Sequence, residues 1–285
     1  MVCPVYQQGG SVMKTPHGLA KASQHETALR HDDVFACMLC GACSPYCPQD
    51  IDLMQMLVAM RSSFDHQAMI EPMHDGPAYQ KAKVIFIADR HLRADEARMR
   101  RVMELLGSQH AVLAADHAED ISEAMQKGQP VSHARLHQFL TTLQSVKKII
   151  ISDGLLQMLI QGKLPQIPMQ SLGHVLSSRQ QLRQQITTKD FYVMDSRCYH
   201  ADYTQLMPYY DVLQQQTGCQ LSRDLHRLAI PSGSHATNGF DASAQVQWLL
   251  KGRDIDRIIV ESVADYDLLA TLSEQTVMHV AELLP

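Results

Sequence analysis

The sequence predicts an α/β fold in which a small helical unit precedes two tandem α/β repeats with parallel sheets. Three observations carry that expectation. Short apolar strands alternate with helical stretches from Lys83 onward, a phrase recurs after a little over a hundred residues, and four cysteines crowd into residues 37–47. Alternation of this kind places helices outside a parallel sheet. With 285 residues and 45% hydrophobic content, the chain is long enough for two units with real cores.

Residues 1–62 form the first unit. Thr15-Pro16 is a helix start, since threonine caps and proline suits the first helical position, and that helix is expected to reach about residue 29. A second helix is expected over 50–61, with Ile51, Met54, Leu57 and Val58 at helical spacing. Residues 63–82 are polar, punctuated by Pro72, Gly76 and Pro77, and read as a linker.

Residues 83–285 hold the repeats, about 83–180 and 190–285. Strands are expected at 84–88, 110–113, 148–152, 191–194, 225–230 and 257–261, each a short apolar run. Helices are expected at 95–106, where Gly107 stops the run, and at 132–143, 201–216, 241–250 and 264–272. VKKIIISDGLLQMLI at 146–160 is echoed by IDRIIVESVADYDLL at 255–269, and SLGHVLSS at 171–178 by TVMHVAELL at 276–284. His174 and His279 fall at matching points of the echo, which suggests a shared capping or packing role.

A formal charge of −5 gives no basic surface, so nucleic acid is not an expected partner. No apolar run reaches the roughly 18 residues of a membrane helix. The stretch 149–160 is interrupted by Ser152, Asp153, Gly154 and Gln157. The N-terminus lacks the pattern of a secretory signal. A cytoplasmic location is expected, with any membrane association made through a partner.

The seven cysteines are Cys3, Cys37, Cys40, Cys43, Cys47, Cys198 and Cys219. A disulfide framework spreads its cysteines, so this clustering points to metal chemistry in a reducing compartment. CMLCGACSPYCP, residues 37–48, follows the C-x₂-C-x₂-C-x₃-C-P run of bacterial ferredoxins. Three thiolates two residues apart in a tight loop can hold three corners of an iron–sulfur cube. Gly41 and Ala42 keep bulk away, so backbone N–H groups can approach the sulfides. Structural zinc usually pairs two C-x₂-C knuckles across a longer spacer, which this run lacks. A [4Fe-4S] cluster is therefore the expected cofactor, held by Cys37, Cys40 and Cys43. The fourth ligand stays open between Cys47 and Cys3, because in two-cluster ferredoxins the fourth cysteine of a run serves the other cluster.

MVCPVYQQGG, TPHGLAKA and CMLCGACSPYCPQDIDLMQMLVAMR together resemble the paired-cluster segment of a known family. These are iron–sulfur electron-transfer subunits related to heterodisulfide reductase. They include the iron–sulfur subunits of glycolate oxidase, anaerobic glycerol-3-phosphate dehydrogenase and lactate-utilisation systems. Cys3-Pro4-Val5-Tyr6 matches the ending of the family's first motif, and Pro16-His17-Gly18 its helix start without the usual Arg. Cys47-Pro48-Gln49-Asp50-Ile51 matches the second ending without its Gly. Crosswise ligation, as the resemblance implies, makes Cys3 the fourth ligand and leaves Cys47 facing an empty or partner-filled position.

The resemblance extends to the second region, where the family carries two repeats with Cys-Cys-Gly elements that can hold a catalytic cluster. FYVMDSRCYHADYTQLMPYYDVLQ at 191–214 follows one such region. The departures are large. Ala114-Ala115-Asp116 and Pro231-Ser232-Gly233 stand where Cys-Cys-Gly is expected, both strand-end Cys-Pro pairs are gone, and Cys198 alone remains. One thiol cannot hold a cluster, so this degenerate domain is expected to keep the fold without that centre.

The implied function is an electron-transfer subunit of a multi-subunit oxidoreductase. It would relay electrons through one [4Fe-4S] cluster between a flavin-dependent or other dehydrogenase subunit and a further Fe–S or quinone-reactive subunit. One alternative is a catalytic component acting through Cys198, with His200 beside it to lower its pKa. Another is a non-redox scaffold stapled by a structural cluster. Cys219, after Gly218, reads as structural. No G-x-G-x-x-G, Walker-type loop or His-Glu-x₂-His pair occurs, so the chain shows no catalytic centre of its own.

Overall fold

Four apolar runs, one near the start and one near the middle of each repeat, become the central strands of two parallel sheets. The protein is described by a computed structural model covering residues 3–25, 29–64, 68–73, 82–223, 230 and 241–284. The first sheet comprises β1 (Val84–Ile87), β2 (Ala111–Leu113), β3 (Lys148–Ile151) and β4 (Met169–Ser171), in the order β2-β1-β3-β4. The second comprises β5 (Asp190–Val193), β6 (Gln220–Leu221), β7 (Arg257–Val260) and β8 (Thr276–His279), in the order β6-β5-β7-β8. All pairings are parallel, and the order is the same in both sheets. The echo in the sequence is thus a repeat of topology. In each sheet the order reverses between the first and third strands, which opens a crevice at their carboxyl ends.

Side-chain alternation along the strands assigns the layers. Phe86, Ile150, Tyr192 and Ile259 turn inward and share one core that spans both repeats. Ile85, Ile87, Ile149 and Ile151 point the other way, onto Ile121, Phe139, Leu143 and Leu156. Phe191, Val193, Ile258 and Val260 do the same in the second sheet, against Val246, Leu249 and Leu269. The two sheets therefore stand side by side across a common apolar layer.

The structure departs from the sequence reading at several elements. The helix after Thr15 runs Pro16–Gln24, with Thr15 Oγ1 accepting from Gly18 N at 3.2 Å. It stops short of residue 29 because Ser23, Gln24 and His25 are exposed and bring nothing apolar to bury. The second helix is Leu53–Ser62, capped by Asp52, whose Oδ1 accepts from Gln55 N at 2.9 Å. Asp50 adopts φ 51°, so Ile51 precedes the helix and is 51% exposed, off the buried stripe.

Short helices Pro4–Gly9 and His31–Phe35, unanticipated, flank the cysteines. The strand expected at 225–230 lies outside the described residues apart from Ile230, and β6 is the pair Gln220–Leu221. Of the linker, residues 68–73 run beside the first repeat. Ile70 N donates to Pro130 O at 2.9 Å, and Ser132 N donates to Ile70 O at 3.0 Å.

His174 and His279 are not structural equivalents. His279 ends β8 and caps the following turn, accepting from Ala281 N at 3.2 Å. The residue in that place in the first repeat is Ser171, which ends β4 and accepts from His174 N at 3.3 Å. His174 sits within the next helix, its ring tilted against that of Tyr209 with centroids 4.2 Å apart.

Candidate metal centre

Cys37, Met38, Leu39 and Cys40 leave the helix His31–Phe35 and turn sharply into Gly41. Two residues of the turn take left-handed backbone, Leu39 at φ 50° and Gly41 at φ 77°. Glycine adopts that region freely, whereas a side chain there costs about 1–2 kcal/mol. Leu39 offsets its cost by complete burial beside Leu19, Val34, Met54 and Leu57. Gly41 has no such latitude. A Cβ on it would lie 2.8 Å from His200 Cβ and 3.2 Å from Met158 Cε.

The loop brings thiols together across sequence distance. Cys3 immediately precedes the helix Pro4–Gly9 and packs with Val5 against Ala36. Gln8 ties that helix to the second repeat, its Nε2 donating to Asp241 O at 2.8 Å. Cys3, Cys37 and Cys40 are buried, and Cys43 and Cys47 half-buried. The strongest thiol neighbours of Cys37, Cys40 and Cys43 all come from the set Cys3, Cys37, Cys40 and Cys43. Burial raises the Cys3 and Cys37 thiols, and burial with neighbouring sulfurs pushes Cys43 up to about 12 and Cys40 higher still. Thiolates gathered this way need bound cations to stay ionised.

Backbone donors already face the sulfurs. Leu39 N donates to Cys37 Sγ at 3.4 Å, and N–H groups of Tyr6 and Val5 face Cys3. The Ala42 backbone serves Cys40, and Ser44 Oγ lies buried beside Cys43 without a hydrogen-bond partner among the described residues. Among the described residues, no three His, Cys, Asp or Glu side chains converge tightly enough to share one ion. The thiols of a cube attach to separate irons and need no such convergence. His133 and His137 stand a turn apart on the helix His133–Leu143, both exposed.

Two buried guanidinium groups complete the site. Arg197 donates from Nε to Leu39 O at 3.1 Å and from Nη2 to Met38 O at 3.0 Å. Arg61 donates to the carbonyls of Cys37 and Gln126, and its Cζ lies 4.9 Å from the Phe35 ring centroid. Both are 5% exposed, and burial lowers both, Arg61 to about 10. Asp153 and Asp195 stabilise the charge on Arg197. Among the described residues no carboxylate pairs with Arg61, its Nε has no partner, and its principal stabilising neighbour is the Cys37 sulfur. A buried cation without an anion is strongly disfavoured. A cube ligated by four thiolates is an anion, so the donor set and the uncompensated Arg61 both fit the [4Fe-4S] group.

Sequence reading missed both arginines. The signal for Arg61 was present: it continues the buried stripe of Met54 and Leu57, where a cation has no ordinary place. Arg197 comes from the helix Ser196–Ala201 after β5 and has no local signature. Gly154 sets its position by close approach, since a Cβ there would lie 2.3 Å from Arg197 Cβ.

Cys198 and His200 do not form a reactive pair. Cys198 is buried, and burial together with the Asp195 carboxylate pushes its thiol well above the usual range. A nucleophilic cysteine needs the opposite. His200 turns away to the cluster loop, with Nδ1 2.9 Å from Cys40 O and 2.7 Å from Ser196 O. Two acceptors on that nitrogen make it the protonated one. Burial holds the ring neutral, near pKa 4. Cys219 is buried in the shared core just past the left-handed Gly218.

The carboxyl ends of three central strands carry aspartates. Asp89, Asp153 and Asp195 each cap the helix that follows β1, β3 and β5. The cavity they line with Arg197 measures about 40 Å³, room for a few waters. Asp116, after β2, pairs with the buried Arg135 at 2.8 Å. Glu261 follows β7, accepts from Tyr192 Oη at 2.8 Å, from Tyr210 Oη and from Asp195 N, and burial raises it to about 7.

No helix among the described residues is long and apolar enough to cross a membrane. No curated protein and no solved structure matches the chain. Residues 1–51 match the family model described as the 4Fe-4S dicluster domain, and the N-terminal segment is accordingly a [4Fe-4S] cluster-binding, electron-transfer type of unit.

Proposed function

We propose that the chain is the iron–sulfur subunit of a multi-subunit oxidoreductase. It passes single electrons between a flavin-dependent or other dehydrogenase subunit and a further Fe–S or quinone-reactive subunit. Cys3, Cys37, Cys40 and Cys43 hold the cluster, and Cys47 stands outside that set. The observation that carries this reading is the mutual proximity of those four sulfurs, with the buried, uncompensated Arg61 beside Cys37. The bound group supplies one-electron chemistry, and the chain's own part is to bury the sulfurs, aim N–H donors at them and exclude water.

The two repeats serve as scaffold and docking body, in the manner of the heterodisulfide reductase-related subunits that the sequence resembles. Aspartate caps and the Asp116–Arg135 pair occupying the strand ends support that role. The raised thiol of Cys198 argues against substrate chemistry there.

Anaerobic purification, iron and acid-labile sulfide analysis, and electron paramagnetic resonance of the reduced protein test the proposal. Four irons and four sulfides per chain, with a signal that disappears on oxidation and returns on reduction, are expected. A cluster that cannot be reduced reversibly would assign it a purely structural role.

A further inference from the structure

Arg61 and Arg197 approach the cysteine loop from opposite units of the molecule. Arg61 comes from the N-terminal helix Leu53–Ser62 and reaches Cys37 O and Gln126 O. Arg197 comes from the second repeat and spans Met38 O and Leu39 O. Three consecutive carbonyls, of residues 37 to 39, thus accept from two buried guanidinium groups. Each of these carbonyls thereby has a donor for its partial negative charge. Neutralising them cannot be the whole role, because neutral donors would suffice and burying a cation is costly.

Reduction adds one negative charge to the cluster and its ligands. A fixed positive charge nearby stabilises the reduced form more than the oxidised form, and low polarisability inside the protein strengthens that difference. The two arginines differ in what else compensates them. Asp153 and Asp195 lie near Arg197, whereas Arg61 has no carboxylate neighbour among the described residues. Much of the field of Arg197 is therefore cancelled before it reaches the sulfurs, and that of Arg61 is not.

We infer that Arg61 and Arg197 are the built-in countercharges of the cluster and hold its reduction potential up, Arg61 more strongly than Arg197. They are positioning and tuning residues, not ligands. The inference rests on the proposed ligand set and deepens it.

The test is a redox titration of the full-length protein, followed by electron paramagnetic resonance, for wild type, R61M, R61K and R197M. In R61M the reduced-to-oxidised ratio at a fixed poise is expected to fall at least tenfold, a midpoint 59 mV lower for one electron. R61K, which keeps the charge, is expected to stay closer to wild type than R61M, and R197M to shift downward by less than R61M. An unchanged or higher midpoint in R61M overturns the inference, as does an R61K shift as large as that of R61M. Should R61M fail to assemble a cluster, R197M decides, since no downward shift there also overturns it. A wild-type protein without a reducible signal would instead defeat the underlying reading of the site.

Discussion

Arg197 grips the cysteine loop by the backbone of Leu39, donating to its carbonyl at 3.1 Å across 158 positions of sequence. Leu39 is the one non-glycine residue in the Cys37–Cys43 turn with left-handed backbone. The contact joins the second α/β repeat to the metal-binding segment, so the conformation that aims the thiols depends on a residue far outside it. The folding of the repeats and the assembly of the cluster are coupled through that side chain.

Gly41 should tolerate no side chain. G41A places a Cβ against His200 and forces alanine into left-handed backbone, which costs about 1–2 kcal/mol before the overlap is counted. Iron and sulfide content should fall well below that of wild type, and the melting temperature should drop. Full cluster content in G41A would show that the loop is freer than its packing implies.

Glu261 should make stability pH-dependent in an unusual direction. Its folded value of about 7 lies above the ordinary 4.5, so its contribution is fully present below pH 4.5 and is lost as pH rises through 7. That loss amounts to about 3 kcal/mol. E261Q stays neutral and should flatten this slope. Denaturant unfolding of both proteins at pH 5 and pH 8 checks it, and parallel slopes would show that Glu261 is ionised in the fold throughout.

Removing Arg135 should destabilise the first repeat by about 3–5 kcal/mol, because R135M leaves the buried Asp116 without its partner. Asp120, also paired with Arg135, is partly exposed and contributes less. The double change D116N/R135M should recover part of the loss in thermal unfolding. A cost below 1 kcal/mol for R135M would mean that water replaces the guanidinium.

Cys198 should be inert in the folded protein. Iodoacetamide at neutral pH should leave it unmodified until denaturant is added, as read by mass spectrometry of its peptide, and C198S should keep wild-type cluster content. Rapid labelling of Cys198 under native conditions would reopen a catalytic role for it.

How much the sequence revealed follows from which signals are local. The cysteine run is local chemistry, and the central strands β1, β3, β5 and β7 are apolar runs nearly buried on both faces, so both were legible. The short strands β4, β6 and β8 were not, since two to four mixed residues carry no period. Ile51 was misplaced because helical spacing extends past Asp52, while the cap ends the helix there. The pairing of His174 with His279 followed letters instead of strand ends, where Ser171 and His279 do the same capping work. Arg61 was marked only by its place on the buried stripe of its helix, whereas Arg197 and Cys3 meet the loop through tertiary packing that no spacing rule encodes.

The most direct test of the ligand set compares C3S with C47S by electron paramagnetic resonance of the reduced, anaerobically purified proteins. C47S should keep the wild-type [4Fe-4S] signal and iron content, whereas C3S should lose the signal or yield an incomplete cluster. An intact signal in C3S together with its loss in C47S would contradict that ligand set and make the run from Cys37 to Cys47 self-sufficient.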